Sequence, residues 1–231
     1  METIRINAYL SQNGYSTRRG ADTLIAAGKV FINGKKARLG DKVTPMDKVE
    51  VRGGVQSKPL VYYAYNKPVG VVTTMPQKGE QDIVGTTRFP VKVFPVGRLD
   101  KDSRGLIIMT NDGRITDRLL NPDKPHEKEY IVEVDTPYNE AFLPKLSRGV
   151  EFEDYTTKPC KTRKKSARSF YITLTEGKKR QIRKMCQVFG KTVRDLKRTR
   201  IMNVNLGTLA EGTYRPIHGK ELDAFLSSLG L

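Results

Sequence analysis

A chain of 231 residues, 37% of them hydrophobic, can bury a substantial core and is of a length for two small domains. Its 42 Lys and Arg exceed its 25 Asp and Glu by 17, which implies a polyanionic partner. A membrane is disfavoured, because there is neither a basic amphipathic helix nor an apolar run of bilayer length. Cys160 and Cys186, like His126 and His218, stand far apart, which argues against a disulfide scaffold and a zinc site, and the start METIRINAYL has no apolar signal segment, so a reducing cytoplasm is expected.

In chain order, Ile6, Tyr9 and Leu10 fall at helical spacing, and Asn13-Gly14 breaks the pattern. Ser16 is the expected cap of a second helix carrying Ala21, Leu24 and Ile25, with Gly28 as its stop. A strand at Val30 to Ile32, the turn pair Asn33-Gly34 and a strand ending in Val49 to Val51 follow. Arg18, Arg19, Lys29, Lys35, Lys36 and Arg38 sit on or between these elements. This arrangement resembles the RNA-binding domain first known from ribosomal protein S4, and the resemblance implies that these six cations touch RNA. The lesser alternative is a solvated charged surface, since Lys and Arg are ordinarily exposed. Residues 1–60 hold 11 basic and 5 acidic residues, and the remainder is basic too, so both parts would be drawn to RNA.

The stretch Gly53 to Pro59 has linker composition, which divides the chain into domains at 1–57 and 58–231. Beyond it, strand-like runs at Val61 to Tyr65, Leu106 to Thr110, Tyr130 to Val134 and Phe170 to Thr175 alternate with helices expected at Arg114 to Leu120, Asn139 to Arg148 and Arg180 to Phe189. The pattern is α+β, with a mixed, mainly antiparallel sheet flanked by helices. The run KTRKK, Lys161 to Lys165, is expected as a solvated loop touching phosphates, and His126 as a local hydrogen-bonding residue.

GRLDKDSRGLIIMTNDG, Gly97 to Gly113, joins a charged loop to an apolar strand. From spacing alone, Asp100 and Asp102 could be an acid and base pair, a magnesium site or turn formers. The letters are, however, very similar to the active-site motif of the pseudouridine synthases that modify bacterial ribosomal RNA, in the branch with an N-terminal S4-like domain. NKPVGVVTT, Asn66 to Thr74, resembles that family's early sheet motif; HEKEYIVEV, His126 to Val134, its tyrosine motif; and EGKKRQIRKMC, Glu176 to Cys186, its basic helix motif. RTRIMNVNL, Arg198 to Leu206, resembles the large-subunit rRNA subfamily labelled F.

The resemblance implies that Asp100 is the essential carboxylate, that Tyr130 stacks on the uracil and assists removal of its C5 proton, and that Arg183 pairs with Asp100. It also implies that Leu196 packs on the nucleoside, that Arg98 fills the gap left in the RNA, and that Arg180 and Lys184 contact the substrate. Without it, Tyr130 would read as sheet packing and Arg183 as one of a phosphate-binding face with Arg180 and Lys184. Uridine and pseudouridine are isomers, so no cofactor and no metal is expected. Whether the carboxylate attacks the anomeric carbon or removes the ribose 2′ proton stays open at this level. The expected partner is ribosomal RNA, large subunit favoured, with transfer RNA as a second target and small-subunit rRNA left open; the expected protein is a monomer, and a non-catalytic rRNA-binding assembly factor is the alternative reading. The target base must leave its stack to be reached.

Overall fold

Helices at Ile6–Gln12 and Arg18–Ala26 open the chain in the computed structural model, which describes residues 3–54, 58–121 and 123–231. Their spacing buries Ile6 and Leu10 against Ala21 and Ile25, and Val30, Ala37 and Val43 complete a core of seven residues. The second helix is capped by Thr17 instead of the expected Ser16. Thr17 stands three residues before Gly20, the spacing at which a side-chain oxygen reaches a free first-turn N–H, and its hydroxyl accepts that bond at 3.1 Å. Asn33 and Gly34 both take positive φ, 50° and 81°, the geometry that joins Val30–Ile32 to Lys35–Lys36 in a two-residue hairpin. Val49–Val51 adds to the other edge of Val30–Ile32, and Ile4–Arg5 pairs with Lys42–Val43.

By its contacts the chain divides into Met1–Tyr62 with Thr110–Asp117, and Tyr63–Met109 with Arg118–Leu231. The expected boundary at residue 57 lies outside the described residues.

The second unit is built on a mixed sheet whose strands run, edge to edge, Lys161–Lys164, Ser169–Leu174, Lys128–Val134, Val193–Ile201, Arg104–Thr110, Tyr62–Lys67 and Tyr214–Pro216. Val204–Asn205 and Phe94–Val96 pair off this path. The first four strands of the series are antiparallel to one another, whereas the fourth, Val193–Ile201, runs parallel to Arg104–Thr110 on its other side. Gly105 makes that pairing possible: its φ is 106°, and a Cβ there would lie 2.3 Å from the carbonyl oxygen of Arg198. Helices Phe142–Ser147 and Gln181–Val188 cover one face, with Phe142 edge-on to both Phe170 and Phe189. The fold is α+β.

Lys161–Lys164 corrects the expected loop, because these residues form an edge strand along Ser169–Leu174. Its charged, mostly exposed side chains are what an edge strand needs to avoid pairing with another chain. The nine-residue strand Val193–Ile201 and the helix Gly219–Ser228 had no counterpart among the expected elements. In the former, four basic residues obscure the alternation that buries Val193, Leu196, Arg198 and Ile201. Among the described residues no helix is long and apolar enough to cross a membrane.

Candidate active site

The loop leading into Arg104–Thr110 contains a tight turn in which the Ser103 N–H donates to the Asp100 carbonyl at 3.0 Å. On either side of Asp100 the main chain is held by the segment after Tyr62–Lys67. The Thr73 hydroxyl, 2% exposed, donates to the Leu99 carbonyl at 2.7 Å and accepts from the Leu99 N–H at 3.0 Å. The Gly70 N–H donates to the Lys101 carbonyl at 2.8 Å. That segment is tied in turn by Lys67, a fully buried side chain whose ammonium donates to the carbonyls of Pro68 and Val71 at 2.8 and 2.6 Å. Burial pushes the Lys67 ammonium down to about 8, and the carboxylates of Asp102, Asp100 and Glu211 resist the shift.

From the opposite side come two guanidinium groups of the helix Gln181–Val188. Arg180 takes the left-handed backbone conformation at its start, φ 55°, and donates to both oxygens of Asp102 at 3.2 and 3.0 Å. Arg183 lies 3.3 Å from the Asp102 carboxylate and donates to the Asp102 carbonyl at 2.9 Å, to the Ser103 hydroxyl at 3.2 Å and to the Val193 carbonyl at 3.0 Å. Partial burial pushes the Asp102 carboxyl up, but the Arg180 hydrogen bonds and the two positive charges outweigh it and hold the group below the usual carboxylate range. The expected pair of Arg183 with Asp100 is therefore made with Asp102. Main-chain acceptors at Asp102 and Val193 fix the Arg183 guanidinium, and Asp102 is the carboxylate it meets there.

Two carboxylates two residues apart thus have different surroundings. Asp102 is engaged by both arginines, whereas Asp100 has only Arg180, at 4.0 Å, and its carboxylate accepts no hydrogen bond among the described residues. Asp100 keeps its lone pairs available while its backbone is clamped at residues 99 and 101. This division of labour, with Thr73 and Lys67, had escaped the sequence reading, although both residues lie in the NKPVGVVTT motif.

Tyr130 and Leu196 lie on one face of the sheet, since Leu196 pairs with Val132 and Arg198 with Tyr130. Tyr130 is 8% exposed, and its hydroxyl finds no hydrogen-bond partner among the described residues. Arg98 is exposed and likewise without a partner there. Lys184 instead lines a shallow recess with Phe152, Glu153, Asp154, Gln187 and Val188, none of which belongs to the Asp100 cluster. In the first unit Arg18, Arg19, Lys29, Lys35, Lys36 and Arg38 are all exposed, and Arg18 pairs with Asp117 at 3.0 Å. His126 is held locally, its Nε2 3.0 Å from the Arg118 carbonyl. No group of three or more His, Cys, Asp or Glu among the described residues is disposed to hold a metal ion.

A carboxylate that accepts no hydrogen bond among the described residues, held on a doubly clamped turn with Arg180 4.0 Å away, suits acid–base or nucleophilic chemistry. The sequence pattern of the RNA pseudouridylate synthases matches residues 61–188 and that of the S4 domain matches residues 4–49. The chain belongs to the RNA pseudouridylate synthase family, and it is an enzyme that isomerises uridine in RNA. It is 46% identical to the dual-specificity RNA pseudouridine synthase RluF of Escherichia coli over 95% of this chain and 77% of that protein. It is 34% identical to the ribosomal large subunit pseudouridine synthase B of Bacillus subtilis over 94% of this chain and 93% of that one. A crystal structure of a pseudouridylate synthase, 27% identical, covers 98% of this chain with a TM-score of 0.69.

Proposed function

We propose that this enzyme converts a uridine of large-subunit ribosomal RNA to pseudouridine with Asp100 as the essential carboxylate. The observation that carries the assignment is the contrast within one turn: Asp102 is consumed by Arg180 and Arg183, whereas Asp100 is positioned by its backbone, lies 4.0 Å from Arg180 and accepts no hydrogen bond among the described residues. Tyr130 lines the uracil site, where its ring stacks on the base and its hydroxyl assists loss of the C5 proton, and Leu196 packs beside it. Arg183 acts by holding the turn and Arg180 by adding positive charge near Asp100. Arg98 enters the gap that the flipped nucleotide leaves, and Lys184 meets the RNA backbone.

Residues 1–57 serve as the RNA-binding domain and 58–231 as the catalytic domain, in keeping with the two sequence patterns that match on either side of residue 57. The name of the Bacillus subtilis relative supports a ribosomal target, and the dual specificity in the name of the Escherichia coli relative supports a second RNA, for which an anticodon uridine of transfer RNA is the choice. The protein works as a monomer in the cytoplasm.

The reaction breaks the bond from N1 of uracil to the ribose, turns the ring and rejoins it through C5, so C5 gives up its proton to solvent while N1 gains one. Incubation with RNA tritiated at uracil C5 is therefore the direct test. Release of label by the native protein and none by Asp100→Asn, with RNA affinity unchanged, is the expected result; turnover by that variant would refute the assignment. Mapping pseudouridine in ribosomal and transfer RNA from cells lacking the protein identifies the target.

A further inference from the structure

The sheet face that bears Tyr130 holds cations that no ion pair among the described residues neutralises. Arg198 stands opposite Tyr130 in the register between Lys128–Val134 and Val193–Ile201. It is 3% exposed; its Nε donates to the Leu106 carbonyl at 2.6 Å, and its Nη2 is buried without a hydrogen-bond partner among the described residues. Lys128 precedes Tyr130 by two residues and so shares its face. Among the described residues its ammonium reaches only the His126 carbonyl, at 3.5 Å. No ion pair among the described residues includes either cation. Burial and the like charge of Arg198 push the Lys128 ammonium down to about 8, which records how poorly the pair is compensated from within.

Two desolvated cations side by side, one with an idle N–H, form an arrangement that a fold keeps when an anion arrives to complete it. A guanidinium with a free edge and an adjacent ammonium suit a tetrahedral oxyanion, which the one can grip through planar N–H groups and the other can neutralise. A nucleoside within RNA brings such an anion on each side. We propose that Arg198 and Lys128 form a binding subsite for a phosphodiester flanking the target uridine, holding the RNA backbone while the base lies against Tyr130. The inference rests on Tyr130 lining the uracil site. Gly105 serves the subsite indirectly, since its lack of a side chain lets the strand carrying Arg198 close on Arg104–Thr110.

The test uses the full chain and a substrate hairpin tritiated at uracil C5, made with natural linkages or with one neutral methylphosphonate on either side of the target. Because Arg198 is buried and its replacement could unfold the sheet, Lys128→Met is the principal variant, with Lys128→Arg as the charge-keeping control. On natural RNA, Lys128→Met should raise KM about tenfold and lower the slope of log affinity against log salt by about 0.7 to 0.9, the signature of one lost phosphate contact, and Lys128→Arg should restore both. On the hairpin carrying the methylphosphonate at the gripped position, native protein and Lys128→Met should behave alike. An unchanged KM and salt slope, or an equal penalty on natural and neutral linkages, overturns the proposal. Asp100→Asn in the same assay separates the readings: if it still releases label, the carboxylate assignment falls whatever Lys128 shows.

Discussion

Two short charged segments of this protein use charge in opposite ways. The turn from Asp100 to Ser103 is tied by Thr73, Gly70, Arg180 and Arg183, so that one carboxylate is spent on structure and the other is presented. The segment from Lys35 to Arg38 in the first unit carries three exposed cations on a minimal hairpin, and no ion pair among the described residues constrains them. Bond-breaking chemistry needs an oriented group, whereas attraction to a phosphate backbone needs only nearby positive charge. A single substitution should therefore be decisive in the first segment and graded in the second.

The largest effect expected is the loss of turnover in Asp100→Asn, about a thousandfold or more, measured by tritium release. Asp102→Asn should fall well short of that, because it loosens the arginines without removing the reacting group. Comparable losses from the two would break the distinction between a structural and a reacting carboxylate. Next comes the core of the first unit. Leu10 is fully buried in a cluster of seven described core residues, and Leu10→Ala should cost about 3 kcal/mol, seen as early melting of that unit and weakened RNA binding. Such a result would show that the basic unit depends on its apolar packing more than on any one cation.

Thr73→Val sharpens the comparison further. The substitution keeps the shape and deletes a hydroxyl that both donates to and accepts from Leu99, so it should lower kcat about tenfold to a hundredfold with little change in KM, and Thr73→Ser should recover most of the loss. A melting temperature held near that of the native protein marks the effect as positioning. Lys67 supplies a pH signature for the same clamp. Its ammonium titrates at about 8 in the fold against 10.5 when unfolded, so the unfolded chain binds more protons between these values and stability contributed by this group rises with pH across that window. Relative to the native protein, Lys67→Met should lack that rise in chemical denaturation followed from pH 7 to 10.

Much of this was legible from the letters. Helical spacing at Ile6 and Leu10, and at Ala21 and Ile25, defined the first unit, because a core of seven residues leaves little freedom in which positions are buried. The motif order GRLD, HEKEY and RQIR likewise marked the residues now found around one turn and one sheet face. What escaped is the part that depends on tertiary contact. The strand Val193–Ile201 is paired on both sides and places Arg198 inward, so its charge pattern reads as a surface. The partner of Arg183 could not be told from spacing either, since Asp100 and Asp102 are two residues apart in a turn and only the folded backbone decides which carboxylate faces the guanidinium. Ser16 and Thr17 differ in the same way, as adjacent cap formers separated by a shift of one residue.

The smallest effects should come from the exposed cations taken singly. Lys36→Ala removes a side chain with no ion pair among the described residues, and replacement of such a surface residue should change stability by no more than about 0.5 kcal/mol. RNA affinity should fall only about threefold, and the slope of log affinity against log salt should drop by less than one unit. Arg19→Ala and Lys35→Ala should behave alike, and combining the three should multiply the losses, because separate phosphate contacts act nearly independently. Arg18→Ala is the informative exception: its guanidinium is already shared with Asp117, so its replacement should reduce affinity least among the six. A single variant of this group that abolishes RNA binding would mean that the first unit reads an oriented feature of the RNA, and the contrast with the Asp100 turn would have to be redrawn.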